Sequence, residues 1–154
     1  MIKVLFICHG NICRSPMAEF IMKDLVKKAG LEQEFMIDSR ATSTEETGNP
    51  IHRGTMGIFK KYQIPCTGHR AQQMSRQDYE TYDYLIGMDQ SNIRNMPRIA
   101  GGDPEKKIYK LMEFTGSGRD VADPWYTGDF EATYRDVSEG CQALLEKLKE
   151  DLAR

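Results

Sequence analysis

A chain of 154 residues, 40% hydrophobic and 29% charged, has the size and composition of one folded domain with a core of its own. A formal net charge of −2 argues against a nucleic-acid or membrane-surface footprint, and no apolar run approaches membrane-spanning length. Cys8, Cys13, Cys66 and Cys141 form no CxxC pair and follow no secretory signal, so they read as reduced thiols of a cytoplasmic protein.

Ile2 to Ile7 is nearly continuous in apolar residues, the pattern of a parallel strand covered on both faces. Cys8-His9-Gly10-Asn11-Ile12-Cys13-Arg14-Ser15-Pro16 follows. A helix from Pro16 to about Ala29 carries Met17, Ile21 and Leu25 on one stripe and stops at Gly30. Phe35 to Ser39 reads as a second strand. Residues 40 to 50 read as a loop ending Gly48-Asn49-Pro50. Helices are expected over Arg53 to Tyr62 and Ser75 to Tyr82, with irregular chain between them. Tyr84 to Met88 is the third strand, and Asp89 caps a short helix through Met96. Lys107 to Met112 is the fourth strand. Residues 113 to 129 lack periodicity, and a loop that long is usually functional. From Phe130, Tyr134, Val137, Cys141, Leu144, Leu145, Leu148 and Leu152 fall at helical spacing.

The alternation predicts a single α/β domain over residues 1–154. Its sheet is open, four-stranded and mainly parallel, with helices on both faces and a phosphate-binding loop after the first strand. Ligands of such sheets lie beyond the carboxyl ends of the strands. The loop at 8–14, the 40s loop, Asp89 and the loop after Met112 all belong to that end.

A loop joining a buried strand to a helix start is an anion site, because unpaired N–H groups and the helix dipole converge there. Gly10 and Asn11 tolerate left-handed backbone angles, so the loop can curl its amides inward. Arg14 adds a charged fork suited to two phosphate oxygens. Cys8 sits on the floor, where a helix N-terminus and a nearby arginine favour a thiolate. Together these point to phosphoryl transfer through cysteine. The leaving oxygen then needs a proton donor, worth roughly 10²–10⁴ in rate. Asp123, in Asp123-Pro124-Trp125-Tyr126, is the candidate, with an aromatic wall beside it.

The Cys8-x5-Arg14-Ser15-Pro16 string, the distant Asp123-Pro124-Trp125-Tyr126, and the segments Asp38-Ser39, Gly48-Asn49-Pro50 and Met88 to Asn92 resemble the low-molecular-weight protein tyrosine phosphatases over essentially the whole chain. The resemblance implies that Cys8 attacks phosphorus. Arg14 and the loop residues His9, Gly10, Asn11, Ile12, Cys13 and Ser15 would hold the phosphate. Ser15 would donate to the Cys8 thiolate, and Asn11 would brace the loop with Ser39 as partner. Asp123 would serve as general acid and then base. His69 and Asp89 match supporting positions, and Glu45, Trp125 and Tyr126 match the mouth of the pocket. The family uses no metal or cofactor. The implied partner is a phosphotyrosine protein or a small aryl phosphate, acted on by a monomer or a weak dimer.

Two positions depart from the family pattern: Glu45 stands where an aromatic residue is common, and His9 where the wall is frequently apolar or small. A carboxylate at 45 cannot stack on a substrate ring and repels acidic peptide flanks. Other readings of the same loop are an arsenate reductase, a non-catalytic phosphate-binding module and a redox sensor using Cys8 and Cys13. The first needs two further cysteines after the third strand, and residues 80 to 100 contain none. Cys13 either packs under the loop or pairs reversibly with Cys8.

Overall fold

Seven residues, Ile2–Cys8, form the strand β1 at the centre of the molecule. The computed structural model describes residues 1–154. It adds α1 (Arg14–Lys28), β2 (Phe35–Ala41), α2 (Arg53–Lys61), α3 (Arg76–Thr81), β3 (Tyr84–Gly87), α4 (Gln90–Ala100), β4 (Ile108–Lys110), α5 (Pro124–Thr127) and α6 (Phe130–Leu152). The sheet order is β2-β1-β3-β4 and every pairing is parallel, so the mainly parallel expectation becomes wholly parallel in this single-domain α/β fold.

The two faces of β1 are covered by different helices. Val4, Phe6 and Cys8 join the larger core with residues of α1, α2 and α6, while Leu5 and Ile7 join Met74, Tyr79, Tyr82 and Met96 on the other face. This explains the unbroken apolar run: no residue from Val4 to Ile7 has any exposure. The chain leaves β1 toward β2 on one side and returns to β3 on the other. A crevice therefore opens at the carboxyl ends of β1 and β3, where loops diverge to opposite faces.

Several boundaries differ from expectation. Helix α1 begins at Arg14, two residues before Pro16, because proline in the first turn removes an N–H that has no intrahelical acceptor there. Strand β2 runs on to Ala41, in register with Cys8. Helix α4 passes through Pro97 to Ala100 and ends on Gly101 with φ 85°. Met96 and Ala100 are both buried in the second core, and that packing outweighs the lost backbone bond at proline. Strand β4 keeps only Ile108–Lys110, because Leu111–Thr115 winds into a 3-10 turn under α6. The approach there is close: a Cβ on Gly140 of α6 would lie 2.5 Å from Leu111 Cγ. The long loop contains one ordered turn, α5. No helix is long and apolar enough to cross a membrane.

Candidate active site

The backbone N–H groups of residues 9 to 14 find no acceptor in the protein, although the loop that carries them is largely buried. Buried amides are normally paired, so six consecutive free donors form a cradle that a tetrahedral oxyanion would complete. At its floor lies Cys8 Sγ, which accepts from the Ser15 amide at 3.3 Å and sits 3.1 Å from Ser15 Oγ.

Asn11 holds the cradle in shape. It adopts φ 60°, a left-handed conformation uncommon for any residue but glycine. Its Nδ2 donates to Ser15 Oγ at 2.8 Å and to Ser39 Oγ at 3.0 Å, and its Oδ1 accepts from the Gln72 amide at 3.1 Å. His69 Nε2 lies 2.8 Å from the Asn11 carbonyl oxygen. A carbonyl only accepts, so that ring nitrogen carries the proton. Beneath this layer, Ser39 donates to Glu19 Oε1 at 2.6 Å, and Lys23 Nζ donates to Glu19 Oε2 at 2.6 Å. A buried carboxylate is costly unless paired, and Glu19 meets that condition.

Arg14 is 3% exposed and spans the crevice. Its Nη1 donates to Asp89 Oδ2 at 2.8 Å and to the Val121 carbonyl at 3.3 Å; Nη2 donates to Asp123 Oδ2 at 3.3 Å. Burial alone would lower the Arg14 pKa, but charge on Cys8, Asp123 and Asp89 outweighs it and raises the pKa, so the guanidinium stays charged. Both carboxylates are held in turn by helix starts. Asp89 Oδ1 caps α4 by accepting from the Asn92 amide at 2.8 Å, and Asp123 Oδ1 caps α5 by accepting from the Trp125 amide at 3.0 Å. The strap leading to Asp123 is tied to α6 through Ala122 N–H to Asp136 at 3.0 Å and Thr133 Oγ1 to the Ala122 carbonyl at 2.8 Å.

Cys13 lies in the same loop but in a different environment. Burial, reinforced by negative charge on Cys8 and Asp123, pushes its thiol up to about 12. It is therefore a neutral packing group at ordinary pH, with its carbonyl accepting from Thr55 Oγ1 at 3.3 Å.

The cleft above the cradle encloses about 450 Å³. Cys8, His9, Gly10, Ile12, Cys13, Arg14, Glu45, Asp89, Asp123, Trp125 and Tyr126 all line it, while Asn11, Ser15, Ser39 and His69 lie in the layer beneath. At the mouth, His9 Nε2 and Glu45 Oε2 are 2.9 Å apart, and Trp125 and Tyr126 are 64% and 85% exposed. A second cleft, of about 360 Å³ around Phe20, Phe35 and Cys66, contains none of these residues. Sequence reading missed Glu19, Gln72, Glu46 and the Val121 carbonyl. Glu19 alone left a trace: a carboxylate flanked by Ala18 and Phe20 inside a buried helix.

The fold and this cleft define a phosphoric monoester hydrolase. Residues 3–154 match the family model for low molecular weight phosphotyrosine protein phosphatase, and the chain belongs to that family; it is a protein tyrosine phosphatase. The low molecular weight protein-tyrosine-phosphatase YfkJ of Bacillus subtilis is 41% identical over 153 residues, 98% of each chain. Its crystal structure superposes with a TM-score of 0.94 over 98% of this chain and 96% of that one. SP-PTP, a low molecular weight protein tyrosine phosphatase of Streptococcus pyogenes, is 48% identical with a TM-score of 0.88, covering 100% of this chain and 99% of its own. The drosophila arginine phosphatase DARP is 31% identical with a TM-score of 0.88, covering 96% and 98%.

Proposed function

We propose that the protein hydrolyses phosphotyrosine and aryl phosphate monoesters through a phosphocysteine, with Cys8 as nucleophile, Arg14 as phosphate clamp and Asp123 as general acid and base. The observation that carries this reading is the run of unpaired amides from residue 9 to 14 in the loop that begins at Cys8 and ends at Arg14, whose guanidinium donates to Asp123.

In the first step the Cys8 thiolate attacks phosphorus, an S–P bond forms and the P–O bond to the leaving group breaks. Donors already aimed at the equatorial oxygens stabilise the transition state without reorganisation. Arg14 makes its two outer contacts with Asp89 and Asp123, so an entering phosphate competes for Nη2 and frees Asp123 to face the leaving oxygen. Asp123 passes its proton to that oxygen. In the second step the Asp123 carboxylate takes a proton from water, the new O–P bond forms and the S–P bond breaks. The sulfur departs as a thiolate. The Ser15 hydroxyl, 3.1 Å from Sγ and 3.3 Å from the Arg40 carbonyl, stabilises that anion by turning its proton to the sulfur. Every group named comes from one chain, so a monomer suffices, and the free thiols suit a reducing cytoplasm.

The test is phosphate release from para-nitrophenyl phosphate and a phosphotyrosine peptide by wild type and Cys8→Ser. The variant should lose turnover while still binding vanadate; ordinary turnover without the sulfur would overturn the mechanism. Because one structural relative is an arginine phosphatase, the panel includes a phosphoarginine peptide. Faster release from that substrate than from phosphotyrosine would reassign the leaving group.

A further inference from the structure

The cleft carries four carboxylates, and they are not equally matched. Asp89 and Asp123 share the Arg14 guanidinium. Glu45 and Glu46 have no such partner: no lysine lines the cleft, and Arg14 is its only arginine. The Glu45 side chain is 70% exposed, and its carboxylate lies 2.9 Å from Nε2 of His9, itself 55% exposed. Glu46 accepts from Asn49 Nδ2 at 2.6 Å, and its Cγ would lie 3.3 Å from a Cβ on Gly10. One acid is thus held over the rim and the other is packed against the loop itself.

The phosphate of a substrate is met at the floor by amides and Arg14. Its aryl ring rises beside Trp125 and Tyr126. The residues flanking a phosphotyrosine must then pass Glu45 and Glu46, which line the cleft with no lysine or arginine to pair them. We propose that Glu45 and Glu46 select phosphotyrosine sites flanked by lysine or arginine and disfavour acidic flanks. This deepens the phosphotyrosine reading of the cleft and rests on it.

Exposed charges act weakly and are screened beyond about 8 Å at physiological ionic strength. A rim pair therefore contributes selectivity, expressed largely in association rate, rather than tight binding. Each favourable contact should change kcat/KM by roughly 2–5-fold.

The experiment uses three phosphotyrosine peptides identical except for lysine, alanine or glutamate on both sides of the phosphotyrosine. Wild-type kcat/KM should rank lysine above alanine above glutamate, with the ratio shrinking toward one in about 1 M salt, where screening is nearly complete. The Glu45→Lys/Glu46→Lys variant should invert the lysine-to-glutamate ratio; a ratio of rates is insensitive to any general loss of activity in that variant. Equal turnover of the three peptides by wild type, or a ratio indifferent to salt, would overturn the assignment and leave the phosphatase reading standing. Release from none of them, by protein active on para-nitrophenyl phosphate, would overturn both.

Discussion

Arg14 does two jobs that a lysine cannot combine. Its fork reaches Asp89 and Asp123 from separate nitrogens while the buried guanidinium stays charged, held so by the acids around it. Arg14→Lys should therefore lower turnover of an aryl phosphate by about 10²–10³, the scale of removing a preorganised donor; steady-state kinetics check this. Asp123→Asn should slow poor leaving groups far more than good ones, because only the former need the proton. An equal loss across a series of substituted phenyl phosphates would take Asp123 out of the acid role. The two loop thiols should also part company. Cys13, pushed up to about 12, stays protonated at pH 8, so inactivating alkylation by iodoacetate should map to Cys8 in a peptide digest.

At the scale of the element, the cradle is a strained loop held by its neighbours. Asn11 sits at φ 60°, and residues from α1, β2 and the 69–72 segment converge on it. Asn11→Ala leaves buried partners unsatisfied, which costs about 1–3 kcal/mol for such a group, and it should also lower kcat by loosening the amides. Urea denaturation and steady-state kinetics read the two effects. Asn11→Gly separates their causes, since glycine tolerates the backbone angle but makes none of the bonds. If Asn11→Gly matched wild type in both measurements, backbone strain rather than the bond network would be what Asn11 relieves. In the core beneath the same face of the sheet, Gly140→Ala drives a methyl into Leu111, and overpacking of this kind destabilises by about 1–3 kcal/mol.

For the whole molecule, stability should depend on what the cradle holds and on pH. An anion that binds only the folded state stabilises it, by about 2.7 kcal/mol at a hundred times its Kd. Inorganic phosphate should thus raise Tm in wild type and much less in Arg14→Ala. Cys13, Cys141 and Tyr84 all have raised pKa values in the folded protein, chiefly through burial. Unfolded, these groups release their protons at lower pH than folded. Above about pH 9 the folded state consequently binds more protons, and its stability should fall as pH rises from 9 toward 12. Thermal melts across that range check the sign.

Much of the proposed chemistry is legible in the sequence itself, because its signals are local. An apolar strand, five residues of curl and a helix start put Cys8 and Arg14 at the two ends of one short loop whatever the rest of the chain does, and Asp123-Pro124 announces a stiffened carboxyl beside aromatic residues. Helix and strand order followed from periodicity alone. What remained hidden lies between residues far apart in sequence. Arg14 meets Asp123 across 109 positions, Asn11 meets Ser39 across 28, and His9 meets Glu45 across 36. Those meetings depend on the strand order β2-β1-β3-β4, which brings the carboxyl ends of β1, β2 and β3 together, and on α6 pinning the strap before Asp123. Glu19 was hidden for the same reason, since a charge inside a buried helix makes sense only once Ser39 and Lys23 are seen to satisfy it. The amino-acid order alone determined which groups are the candidates for the proposed reaction; their distances, and the unequal pairing of the four acids around the cleft, were decided by packing.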